Sequence, residues 1–207
     1  MTFPRFMQIA PLMADAYLAN TAGQRLQGRL AHFPMVKQSL SQWCWAAVAS
    51  GVDNVLGAGR TQCDIAKIYA KNTPHDYAKN ALKGLTCPPD AKHDTPGYLG
   101  DALTYIGLAA TPSAEPISDF TTTVAKARAA IASGKPFPIR IDWQYPLYGA
   151  HVIAIVGVDS ATNGANFLVY DPSPDKEDKG HLCSVPAQAI ANNYDQAGRW
   201  VEMYPLK

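Results

Sequence analysis

His151-Val152-Ile153-Ala154-Ile155-Val156-Gly157-Val158 is the stretch on which the fold turns. Valine and isoleucine fill it and a histidine heads it, so it reads as a buried strand. The same reading extends to 137–143, 165–170, 181–185 and 200–204, all rich in valine, isoleucine and aromatics. Asn163-Gly164 supplies a hairpin-like turn between two of them. Upstream of Gly134 the period is helical instead. Ser41 is placed to cap a helix that holds Gln42, Trp43 and Cys44 in its first turn and runs to Leu56, before Gly57. Thr61 and Asp64 have capping-box spacing, with Ile65, Ile68 and Tyr69 on one face behind them. Thr95-Pro96 reads as a cap with proline at the first helical position, followed by Leu99, Leu103 and Ile106 and stopped by Gly107. Ser118 or Asp119 opens a fourth helix with the stripe Phe120, Val124, Ala127 and Ile131, ended by Gly134. Helices first and strands afterwards imply an α+β fold: an N-terminal helical half packed on a C-terminal antiparallel β-sheet half, with any shared site in the cleft between.

The chain has 207 residues, 47% of them hydrophobic and 17% charged, with a formal charge of +1. That suits one domain with a sizeable core and excludes wholesale disorder. No long basic run accompanies the charge, so no nucleic-acid partner is expected. No apolar run reaches the roughly 18 residues of a membrane span. The nearest, 6–19, is broken by Pro11 and Asp15 and makes a poor signal peptide, having only Arg5 before it. Residues 1–34 carry little pattern and read as an N-terminal arm or removable segment, with the domain proper at 35–207. The charged run 175–179 follows Pro172 and Pro174 and reads as a solvated loop.

The chemistry concentrates in Gln38-Ser-Leu-Ser-Gln-Trp43-Cys44-Trp45-Ala46-Ala47. A thiol in the first turn of a helix feels the positive end of the macrodipole, which favours thiolate. A lone cysteine there is more often a small buried hydrophobe, and a lone glutamine or an Asp-Pro turn is equally bland. Together they gain meaning. Gln38, six residues before Cys44, can offer its amide beside the Cys44 backbone N–H as an oxyanion donor. His151 heads the apolar strand after Tyr148-Gly149-Ala150, a segment that allows close approach. Asp171 follows the next strand and can orient His151 through its second ring nitrogen. Trp143 and Tyr148, just upstream of His151, are candidates to line the cleft and bind substrate.

These motifs resemble the papain-like cysteine peptidases: a Gln six residues before Cys-Trp-Ala, a His heading an apolar strand, then Asp-Pro after the next. The Trp43-Cys44-Trp45-Ala46-Ala47 context and the small size are most similar to the bacterial branch with staphopain-type enzymes and plant-pathogen avirulence-effector proteases. The resemblance covers about residues 35–205. It implies Cys44 as nucleophile, His151 as general base then acid, Asp171 as orienter and Gln38 as oxyanion donor, acting on a protein or peptide through a thioester. It implies no cofactor, and secretion or delivery into a target cell. The chain departs from the plant-type pattern in having Trp43 before the cysteine, Asp171 in place of Asn, and shorter separations between the three residues. Two rival classes carry the same residues: a Cys-His-Asp acyltransferase or glutamine deamidase of transglutaminase type, and a catalytically silent binding module. Helices before strands, and the upstream glutamine, favour the peptidase.

Four cysteines first suggest two disulfides. If Cys44 is the nucleophile, at most one can form among Cys63, Cys87 and Cys183. Either Cys63 pairs with Cys87 or all three stay reduced. Cys63, His75, Cys87 and His93 lack the compact spacing of a zinc site, so no metal is expected. His32, His75, His93 and His181 read as ordinary surface or loop histidines. Trp43, Trp45 and Trp143 read as core by default. Oligomeric state has no signature in the sequence.

Overall fold

The computed structural model describes residues 30, 33–34, 36–109, 114–117, 119–144, 149–159, 166–173 and 181–207. Most of the 1–34 arm, His32, Tyr148, the 163–164 turn and the 175–179 run lie outside these, as does the His181 side chain.

Helices come first, in the order α1 (Cys44–Leu56), α2 (Gln62–Asn72), α3 (Asp76–Ala81), a 3-10 turn (Ala91–His93) and α4 (Leu99–Tyr105). A two-residue strand β1 (Glu115–Pro116) and helix α5 (Phe120–Ala132) precede the main strands. These are β2 (Phe137–Trp143), β3 (Gly149–Asp159), β4 (Asn166–Asp171) and β5 (His181–Pro186), then helix α6 (Ala187–Asn192) and β6 (Gly198–Met203). The six strands form one sheet in the order β1-β6-β2-β3-β4-β5, antiparallel throughout. The fold is α+β, as the change of period at Gly134 implies, and its helical and sheet halves are consistent with the papain-like arrangement that the resemblance implies.

Alternation along β3 gives the sheet two buried faces. Val152, Ala154 and Val156 join the core built by α1, α2 and α4 around Trp45, Ile65, Tyr69 and Leu103. Ile153 and Ile155 join a second core with Val124 and Ala127 of α5 and Ile190 of α6. The fourth helix of the sequence reading therefore lies against the opposite face from the other three. Its stripe fits either side, because periodicity marks a buried face without saying which surface it meets. At the β3–β4 register shift between Ile155 and Gly157, the Val156 carbonyl takes the Leu30 N–H at 2.8 Å. Phe33 is buried and packs on Tyr170 at 5.0 Å between ring centroids. Its ring occupies the space that a Cβ on Gly51 would fill, 2.4 Å from Phe33 Cζ.

Several local signals hold in detail. Thr61 and Asp64 make the reciprocal capping box, and the Thr61 donors keep the Asp64 carboxyl below its ordinary pKa. Asp119, rather than Ser118, caps α5, accepting the Thr122 N–H at 2.7 Å. Gly107 and Gly134 end their helices at φ +83° and +79°, a region glycine occupies without strain.

Two caps differ. Trp43, not Ser41, stands at the N-cap of α1 and supplies no side-chain bond. α4 begins at Leu99 with Tyr98 at its N-cap, beyond Thr95-Pro96. In both cases tertiary partners take the polar groups: Ser41 Oγ–H is donated to Asp94, and the Thr95 carbonyl accepts the Trp45 indole N–H at 3.2 Å.

Of the two cysteine arrangements left open, Cys63–Cys87 forms, closing a separation of 24 residues. Cys183 is a buried thiol, with Sγ 3.9 Å from the Val169 carbonyl. Replacing Cys63 and Cys87 by Ala together is expected to cost about 3 kcal/mol, a fall in Tm on the order of 10 °C. Calorimetry of the double variant checks this, and an unchanged Tm would remove the bridge from the stabilising framework.

Candidate active site

Cys44 is the first residue of α1, where the unsatisfied N–H groups and the positive end of the helix dipole lie. Its helix is held from outside. The Asp94 carboxylate accepts the Gln42 N–H at 2.7 Å as well as the Ser41 hydroxyl. The indoles of Trp43 and Trp45, both fully buried, donate to the carbonyls of His93 and Thr95 at 3.0 and 3.2 Å. The two tryptophans are core, as the composition suggests, and their N–H groups tie the start of α1 to segment 90–95. His93 corrects the surface reading: it is completely buried, with Nδ1 2.7 Å from Asp90 Oδ1. His75 is partly exposed and packs against Tyr98 and Tyr77, at 4.9 and 5.7 Å between centroids.

His151 is the third residue of β3, and Asp171 ends the antiparallel neighbour β4, so both reach the same end of the sheet. His151 Nε2 is 2.7 Å from Asp171 Oδ1. The imidazole also hydrogen-bonds the Cys44 side chain, for which Nδ1 is the remaining ring nitrogen. Burial works to lower the His151 pKa. The Asp171 carboxylate, followed by Cys44, outweighs it and pushes the pKa up to about 10. The three residues selected from sequence thus form one connected set, a cysteine side chain on an imidazole that a buried carboxylate backs.

Asp171 is itself buried and well held. Oδ1 accepts the Ser173 N–H at 2.9 Å, and Oδ2 accepts the Tyr194 hydroxyl at 2.8 Å. Tyr194 was not singled out in the sequence; it sits in a loop after α6, and no local pattern marks it. Trp143 stacks on the His151 ring, 6.3 Å between centroids and 19° between planes, and also contacts Tyr194.

Gln38 is buried beside this set. Its backbone N–H is donated to the Pro172 carbonyl at 2.9 Å, which joins its loop to the turn after Asp171. Its Nε2 donates to the carbonyls of Leu40 and Ser41 at 2.9 and 2.5 Å, while Oε1 is buried with no hydrogen-bond partner among the described residues. Gln62, a second residue the sequence left unmarked, clamps this loop on both sides. Its Oε1 accepts the Ser39 N–H at 2.9 Å and its Nε2 donates to the Lys37 carbonyl at 2.7 Å.

A cleft of about 680 Å³ opens at this point. Pro96-Gly97-Tyr98 line it from the helical half and Gly149-Ala150-His151 from the sheet, and Cys44 and Trp143 share it. Gly97 lies flat on Trp45, where a Cβ would stand 2.6 Å from the indole. Tyr148 lies outside the described residues. Among the described residues no helix is long and apolar enough to cross a membrane.

A family model described as Peptidase_C39 like family matches residues 30–201. No curated protein matches the chain.

Two outcomes follow from the geometry. Asp171→Asn removes the charge that raises the His151 pKa, so the imidazole is expected to titrate lower by at least about 1 pH unit. A histidine NMR titration reads this directly, and an unmoved midpoint would mean that the carboxylate does not hold the proton. Asp94→Ala leaves the Gln42 N–H and Ser41 hydroxyl without their acceptor and is expected to cost about 1–2 kcal/mol in urea unfolding. An unchanged midpoint would show that the start of α1 does not need this external cap.

Proposed function

The chain belongs to the Peptidase_C39-like family, a family of cysteine-peptidase type, and from that premise we propose that it hydrolyses peptide bonds through Cys44, His151 and Asp171. The contact that carries the reading is His151 Nε2 to Asp171 Oδ1 at 2.7 Å, with the Cys44 side chain on the imidazole's other side. Thiolate Cys44 attacks the scissile carbonyl, a C–S bond forms, and the carbonyl oxygen becomes an oxyanion. Collapse breaks the C–N bond as imidazolium His151 passes its proton to the departing amine. His151 then takes a proton from water, whose oxygen attacks the thioester, and the acid leaves as the thiolate is restored.

The oxyanion donors in this proposal are the Cys44 N–H and the Gln38 amide. Gln38 Nε2 exchanges its contact with the Leu40 or Ser41 carbonyl for the developing oxyanion. Its place six residues upstream and the grip of Gln62 on its loop support the assignment. The substrate is a protein or peptide chain laid between the Pro96-Gly97-Tyr98 and Gly149-Ala150-His151 walls. The half-exposed rings of Tyr77 and Tyr98 beside the cleft, 48% and 51% exposed, offer it apolar contact. The finer placement among effector proteases is part of this proposal and rests on the Trp43-Cys44-Trp45 context and on Asp171 as third member.

An epoxide-type thiol inhibitor followed by peptide mapping is expected to label Cys44, and a label on Cys183 instead would overturn the site. Cys44→Ala should abolish cleavage, while Gln38→Ala should retain a residue of activity lowered about 10²–10³-fold. Mass spectrometry of a treated protein substrate separates the outcomes: cut chains support hydrolysis, whereas an intact chain about 1 Da heavier would assign a deamidase.

A further inference from the structure

The carboxylate of Asp171 has two oxygens in a buried place, and only Oδ1 faces the imidazole. On the other side stands Tyr194, with its hydroxyl 2.8 Å from Oδ2 and the residue as a whole almost wholly buried. A carboxylate only accepts, so Tyr194 donates. The tyrosine is locked in place by its own backbone. Its N–H is donated to the Gly198 carbonyl at 2.8 Å, and the Gly198 N–H returns to the Tyr194 carbonyl at 2.7 Å. Asp195 and Gln196 close this turn at φ +46° and +74°, in the left-handed region. Gly198 has no room for a side chain: a Cβ there would lie 2.5 Å from Ile141, 2.8 Å from the Trp143 ring and 2.8 Å from the Tyr194 carbonyl. Strained backbone and a required glycine thus hold the ring against Trp143 and its hydroxyl against Asp171.

We propose that Tyr194 is a positioning residue for the proposed Cys44–His151–Asp171 set, fixing the plane of the Asp171 carboxylate and drawing off part of its charge so that His151 can release its proton. The inference rests on the peptidase reading of that set. A buried carboxylate with one oxygen bare would concentrate its charge on the imidazolium and hold the proton too tightly for transfer to a leaving amine. Burial, aided by the neighbouring Asp171, Cys183 and Asp195, raises the Tyr194 pKa well above its ordinary value. The hydroxyl consequently stays a donor across the working range. Facing His151 itself are Asp171 from β4, Cys44 from α1 and the uncharged Trp143 ring from β2.

The test is Tyr194→Phe in the full chain, which keeps the ring and removes only the donor. With casein as substrate, kcat is expected to fall about tenfold while KM stays within about twofold. In the histidine NMR titration the His151 midpoint is expected to rise by about half a pH unit, opposite in sign to Asp171→Asn. A ring-fluorinated tyrosine at position 194, a stronger donor of nearly the same shape, should move the midpoint down. A midpoint that stays put or falls in Tyr194→Phe overturns the proposal, since mere loosening of the turn would weaken the Asp171 contact and lower it. If the wild-type chain leaves casein intact while the Tyr194→Phe midpoint rises, the coupling stands and the peptidase reading fails.

Discussion

Everything at the cleft depends on keeping a negative charge buried next to an imidazole. Asp171 is only 2% exposed, and an ionised carboxylate there is costly unless each oxygen has donors. The fold supplies them from separate elements: His151 from β3, the Ser173 N–H from the following turn, and Tyr194 from the loop after α6. Removing any one leaves the others in place but changes how the charge is shared. The same turn fixes a second feature, because the Pro172 carbonyl takes the Gln38 N–H. Asp171 and Gln38, separated by most of the domain in sequence, are thereby set in one frame.

The second requirement is a helix that begins at Cys44. α1 has no cap of its own, and its entry loop is instead gripped by two elements, segment 90–95 and α2. Asp94 holds Ser41 and Gln42, the carbonyls of His93 and Thr95 hold the two indoles, and Gln62 brackets Gln38. External capping leaves the N-terminal end of the helix, where Cys44 stands, clear of a local capping side chain. Helix-end N–H groups favour a nearby negative charge, so the braced loop keeps the positive end of α1 at the cleft that Cys44 lines.

Much of this was legible in the sequence because it is written in short-range patterns. β2 runs over 137–143 as its alternation and aromatics indicate, and the Thr61–Asp64 box announces α2. Cys44, His151 and Asp171, which the structure brings together, stand out in sequence by the company they keep, a thiol at a helix start and polar residues at the ends of two apolar strands. Tyr194, Gln62 and Asp94 carried no such signal. Each acts across 23 to 52 residues of sequence, through contacts that no local period encodes. His93 misled for the same reason: a histidine in a polar stretch looks solvated, and the tertiary contact that draws its segment in, the Trp43 indole on its carbonyl, comes from 50 residues away. α3, α6 and β1 were too short to show a period at all. The placement of α5 on the far face of the sheet was equally invisible, since its stripe specifies a buried side and not a partner.

The four cysteines, which pose a conflict between staple and nucleophile, divide by position in this network. Cys183 is sealed beneath the sheet, Cys63 and Cys87 are bridged, and Cys44 lines the cleft. The bridge is not remote from Cys44 in mechanical terms. Cys63 follows Gln62 directly, so the disulfide anchors the residue that clamps the Gln38 loop. Cys87 stands at the head of the segment whose Asp94, His93 and Thr95 grip the entry to α1. One covalent link therefore stiffens both supports of the Cys44 turn, one through α2 and one through segment 90–95. The bridged pair and the free thiol in the cleft are in this arrangement two parts of a single requirement, that the first turn of α1 hold its place.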